Sequence, residues 1–126
     1  MICVLRIGGA TIDPVAVIDA LKLDPYRVDT TGQKGARTIC LHFAVAEEGS
    51  PRDLVAKIED FLARHAERLA SLSRLDGMAF RTLDIGLMLD DNMASVSIDL
   101  GETLIRRLSE FRLSLSVATY LADSRP

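Results

Sequence analysis

Side chains able to do acid–base, nucleophilic or metal chemistry are few in this chain. Its 126 residues include two histidines, His42 and His65, and two cysteines, Cys3 and Cys40. Covalent catalysis needs a nucleophile beside a base, and a metal site needs clustered thiolate, imidazole or carboxylate ligands. Neither cysteine lies in a C-x-x-C or Cys/His ligand pattern. H-E-x-x-H, G-x-S-x-G and the Ser-His-Asp order are also missing. No catalytic residue, metal ligand or cofactor is therefore expected. Both cysteines fall in predicted strands, where a reduced thiol acts as a small apolar side chain. A redox pair would need those strands to be adjacent and the thiols to face each other.

Two constellations remain as ligand-binding candidates. Arg6, His42 and Asp84 make a small polar site, for an enzyme or a ligand, if their strands are neighbours. Arg27, Lys34 and Arg37 form a basic cluster among Thr and Gly residues that can hold an anion or an acidic surface. A solvated loop is the competing reading there, because nothing in the sequence fixes the cluster's geometry. His65 lies on the apolar stripe of a helix and reads as a structural histidine. Gly8-Gly9 is not a phosphate turn. G-x-G-x-x-G and a Walker lysine are absent, and Asp13 and Asp19 would repel an anion. It reads as a tight strand-to-helix turn. Asp90-Asp91-Asn92 lacks the spacing and terminal Glu of a calcium loop and reads as a hairpin turn.

Composition narrows the partners. Hydrophobic residues make up 48% and charged residues 26%, which is ordinary for a globular domain. The net charge of −3 and the 5% aromatic content disfavour nucleic acid as a partner. No apolar stretch approaches the roughly 18 residues that would span a bilayer, so no membrane role is expected. The N-terminus shows no signal-peptide pattern, which points to the cytoplasm. Residues 1–126 read as a single domain.

The elements that must position these residues follow from periodicity. Ile2 to Ile7 reads as a strand. Asp13-Pro14 caps a helix running to about Leu23, with Ile18 and Leu21 inward. Pro25 to Ala36 is a loop or irregular edge strand. Thr38 to Ala46 alternates as a second strand, with Ile39, Leu41, Phe43 and Val45 on one face. Ser50-Pro51 opens one long helix with Leu54, Ile58, Phe61, Leu62, His65, Leu69 and Leu72 on its apolar face. A hairpin follows: Leu83 to Leu89, the Asp90-Asp91-Asn92 turn, then Ala94, Val96 and Ile98. Asp99-x-x-Glu102 resembles a capping box that starts a short third helix. Leu113 to Leu121 makes the last strand. The order β-α-β-α-β-β-α-β predicts an α+β two-layer sandwich. Its sheet would be mainly antiparallel with the helices on one face, ferredoxin-like in style.

One face of that sheet is left over. It carries Cys40, His42, Ala44, Asp84, Gly86 and Met88, then Met93, Ser95 and Ser97, then Ser114, Ser116, Ala118 and Tyr120. Val4 and Arg6 join it if strand one has the matching parity. The face is short of Lys and Glu and rich in small residues, and methionine adapts to irregular partners. It therefore reads as an interface, with Met88, Ser95, Ser97, Ser114, Ser116 and Tyr120 as its contact residues.

Short motifs add a resemblance. Ile12-Asp13-Pro14, Ile18 and Leu21, Leu23-Asp24-Pro25, Lys34-Gly35 and the later Ser97-Ile98-Asp99-Leu100 resemble a family of small bacterial domains of unknown function, the domain-of-unknown-function-4279 type. The resemblance covers most of the chain and implies no established activity. Some bacterial domains of that kind look like immunity or partner-binding proteins. The expectation is a non-enzymatic interaction domain, most simply a homodimer, acting through the open sheet face. A small-ligand-binding regulatory module and an enzyme using Arg6, His42 and Asp84 are the alternatives.

Overall fold

A computed structural model describes residues 1–32 and 37–121. In chain order they form β1 (Ile2–Gly9), α1 (Pro14–Leu21), β2 (Arg27–Thr31), β3 (Thr38–Glu47), α2 (Pro51–Arg64), α3 (Ala66–Ser71), β4 (Phe80–Leu89), α4 (Gly101–Glu110) and β5 (Ser114–Leu121). The strands make one sheet in the order β2-β3-β1-β4-β5. Only the β4–β5 pair is parallel. The fold is α+β, and its strand order departs from the ferredoxin-like arrangement.

Alternation decides the layers. Cys3, Leu5 and Ile7 of β1, Leu41 and Phe43 of β3, and Leu83, Ile85 and Leu87 of β4 are buried in one cluster. The apolar stripes of all four helices enter the same cluster, through Val17 and Leu21, Leu54 and Ile58, Leu69, and Leu104 and Leu108. A strand sends alternate side chains to opposite faces. The helices therefore pack on one side, and the even-numbered positions of β1 and β4, and those of β3 up to Ala44, face away from them; beyond a register shift in the β1–β3 pair, Ala46 lies opposite core residue Cys3. This fixes the parity of strand one, with Val4 and Arg6 on the open face.

Helix boundaries follow local chemistry. Asp13 caps α1 by accepting from the Val15 N–H at 3.1 Å, ahead of Pro14. Ser50 caps α2 through the Asp53 N–H at 3.2 Å, again before a proline. The expected long central helix keeps its apolar stripe but breaks at His65, where φ −107° and ψ 19° end α2 before α3 begins.

Several expectations need correction. The hairpin after β4 does not form. The turn exists, with the Asn92 N–H bonded to Asp90 Oδ1 at 2.9 Å, but residues 93–100 lie outside the sheet. Val96, Ile98 and Leu100 instead pack against the core as part of the crossover to β5. A parallel neighbour for β4 requires such a connection, which a tight hairpin cannot make. The fifth strand is β2, within the segment read as a loop or edge strand. The Asp99 capping box is also absent: α4 starts after Leu100 with no side-chain cap, and Gly101 has φ +69°. Gly8 and Gly9 belong to β1 itself. A Cβ on Gly9 would sit 2.0 Å from the Gly77 carbonyl oxygen, so close approach of backbone requires the glycine there.

Candidate functional site

The open face divides into a polar half and an apolar half. Register builds the polar half. Arg6 of β1 lies opposite His42 of β3, and His42 opposite Arg27 of β2. Arg6 Nε lies 3.2 Å from Asp84 Oδ2 across the β1–β4 pair. That contact is an ion pair rather than an aligned hydrogen bond, since the buried Nε finds no acceptor in good geometry. His42 turns the other way. Its Nε2 lies 2.9 Å from Asp29 Oδ2, and Asp29 Oδ1 accepts from Arg27 Nε at 2.8 Å. An ionised carboxylate only accepts, so this contact places the proton of a neutral His42 on Nε2. The Tyr26 ring closes that end, 5.9 Å from the His42 ring.

The strands carrying Arg6, His42 and Asp84 are thus neighbours, yet the three side chains do not converge. Arg6 is engaged by Asp84, and His42 by Asp29. Arg27 is likewise tied to Asp29 and makes no loose cluster. Arg37 is exposed just before β3, and Lys34 lies outside the described residues. The hydrogen bond from Arg27 chiefly holds the Asp29 carboxyl below its usual range, and His42 adds to the effect. Among the described residues, Arg6, Arg27 and His42 on this face each have a carboxylate beside them.

Ile2, Val4, Ala44, Gly86, Met88, Ala118 and Tyr120 make the apolar half. Parallel register sets Asp84 beside Ser116, Gly86 beside Ala118, and Met88 beside Tyr120. The Tyr120 ring lies over Gly86 next to Ile2. A Cβ on Gly86 would meet Tyr120 Cε2 at 3.0 Å and Ile2 Cγ2 at 3.2 Å. Ile2 and Tyr120 remain 47% and 56% exposed. Of the predicted contact residues, Met88, Ser114, Ser116 and Tyr120 lie on this face. Ser95 and Ser97 do not, because their segment left the sheet. Ser97 lines a cleft with Ser50 and Arg52 at the start of α2.

Cys3 and Cys40 face opposite sides of the sheet on β1 and β3, so they cannot form a redox pair. Burial foremost, with the nearby Asp84 charge, pushes the Cys3 thiol up to about 12. Burial also raises the Cys40 thiol. Both are poor nucleophiles in this state. Sequence reasoning missed Asp29 and Tyr26. The Arg27-x-Asp29 spacing puts both side chains on one face of a strand, but that reads only once the segment is recognised as a strand. No family model, curated protein or solved structure matches the chain. The resemblance to the small bacterial family rests on its short motifs alone.

Proposed function

We propose that the chain is a non-enzymatic protein-interaction domain that docks through the helix-free face of its sheet, most simply onto a second copy of itself. One observation carries this reading. The face sets exposed Ile2, Ala44 and Tyr120 beside a polar half whose charges are already paired. A partner covering it gains apolar contact and does not have to supply counter-charges for Arg6 or Arg27. Self-docking across a two-fold axis needs only such a self-complementary patch. Strands about 4.8 Å apart with a rise of about 3.3 Å per residue give the face up to roughly 600 Å² in projection. A standard interface takes roughly 800 Å² from each partner, so the whole face and part of its rim would be used. An immunity-type role, with a foreign protein as the second partner, is the specific version that the family resemblance suggests.

Light scattering on the purified chain tests the reading. The 13.8 kDa chain should scatter as a species of twice that mass. Ala44→Arg, which places an unpaired charge in the apolar half, should return it to single-chain mass with its circular dichroism unchanged. A wild-type protein of single-chain mass at high concentration would remove the homodimer. A dimer that survives Ala44→Arg would remove this face.

A further inference from the structure

A cleft of about 330 Å³ lies where β4 and β5 begin, away from the apolar half of the open face, and its walls include Ser73, Met78, Phe80, Arg81, Arg112 and Ser114. Among the described residues, no carboxylate lines it. Arg6, Arg27, Arg64 and Arg106, by contrast, each sit against an Asp or Glu. Arg81 Nη1 is buried with no hydrogen-bond partner. Burial, and then the charge of Arg112, make Arg81 easier to deprotonate than an ordinary guanidinium. Two like charges converge here, and no carboxylate among the described residues pairs with either. A buried unpaired donor calls for a partner.

The backbone supplies a second observation. Arg112 follows α4 with φ +55°, in the left-handed region that favours glycine at this position of a helix end. The turn closes with the Leu113 N–H on the Leu108 carbonyl at 2.8 Å. Glycine would serve that turn with less strain. Arginine puts a second guanidinium beside Arg81 instead, and residues held in such conformations concentrate at binding sites.

We infer that this cleft binds a phosphate monoester, gripped by Arg81 and Arg112, with Ser73 and Ser114 among the residues that line the same space. A phosphate dianion matches two guanidiniums in charge and offers three acceptor oxygens, whereas a single carboxylate leaves one cation unmatched. The volume exceeds that of a bare phosphate group and leaves room for the esterified body against Met78 and Phe80.

Thermal melting at constant ionic strength tests it, with sodium chloride as the reference and glycerol phosphate, inorganic phosphate and succinate as probes. A ligand of the native state raises the midpoint, by roughly 10 °C at a hundredfold excess over Kd for a chain of this size. Glycerol phosphate should produce such a shift and succinate should not. Arg81→Gln should abolish the shift. Arg112→Gly should melt higher than wild type without ligand yet lose the glycerol phosphate shift, which a misfolded variant cannot mimic. Arg106→Gln, altering an exposed guanidinium paired with Glu102, should keep it in full. No shift in wild type, an equal shift with succinate, a shift with inorganic phosphate alone, or a shift that survives Arg112→Gly would each overturn the assignment.

Discussion

On the helix-covered side of the sheet, Leu5, Ile7, Leu41, Phe43, Leu83 and Ile85 are closed to solvent in one apolar cluster. One residue along the same strands, Arg6, His42 and Asp84 point the other way and find their partners sideways, across the strands. The first side gets its order from burial, which is non-directional and scales with area. The second gets its order from register, because each charge meets whichever residue the strand pairing sets beside it. Stability therefore belongs mainly to one face, and the other is free to carry recognition. The division weakens at β5. Its Val117 lies on the helix side by register with Ile85, yet remains 45% exposed, because the helix layer stops short of this edge.

The largest break in the comparison should come from Phe43→Ala. Phe43 is 1% exposed at the centre of the core cluster. Truncating a buried phenylalanine loses transfer free energy and leaves a cavity, at about 3–5 kcal/mol. Chemical denaturation should show a lower midpoint by that amount. A loss under about 1 kcal/mol would mean that the two faces do not divide the work as described.

His65 offers a smaller, pH-dependent effect on the packed side. It is buried against Phe61, with ring centroids 4.6 Å apart, and its Nδ1 has no partner. Burial first, then Arg64 and Arg68, hold its pKa below the ordinary 6.5. Between that lowered value and about 6.5 the unfolded chain binds more protons than the folded one, so stability rises with pH across this window. Acidification from neutrality should weaken the fold well before the carboxylates titrate. His65→Leu should flatten that limb in melting curves recorded across pH. A limb that persists unchanged in the variant would assign it to another group.

The legible and illegible parts of this molecule divide along similar lines. Alternation in 39–45, 83–89 and 113–121 is a local property, so the two faces and most of their residues could be read directly. Ser50-Pro51 and Asp13-Pro14 are equally local, and both cap helices. Strand partnership is not local. Val96 and Ile98 alternate as a strand would, but they pack beneath a crossover because β4 takes a parallel neighbour. Ser95 and Ser97 left the predicted interface for that reason. In the polar half, His42 pairs with Asp29 and not with Asp84, and this became visible only once β2 was placed beside β3. The Arg81 and Arg112 cleft had no signal in spacing at all, since 31 positions of chain separate two residues that β4–β5 pairing brings together.

The smallest expected effect is the sharpest probe of the open face. Gly86→Ala adds a methyl group 3.0 Å from Tyr120 Cε2 and 3.2 Å from Ile2 Cγ2, both tips of exposed side chains. In a single chain those tips can swing away, and alanine also restricts the unfolded state. The two effects should leave stability within about 0.5 kcal/mol of wild type. If a second copy covers the face, Tyr120 is pinned and the same methyl group has nowhere to displace it. Measured in the Ala44→Arg background, Gly86→Ala should then be nearly neutral, while in the dimeric protein it should weaken association. Equal effects in both backgrounds would show Tyr120 as free in the wild type as in the monomer, leaving the face uncovered.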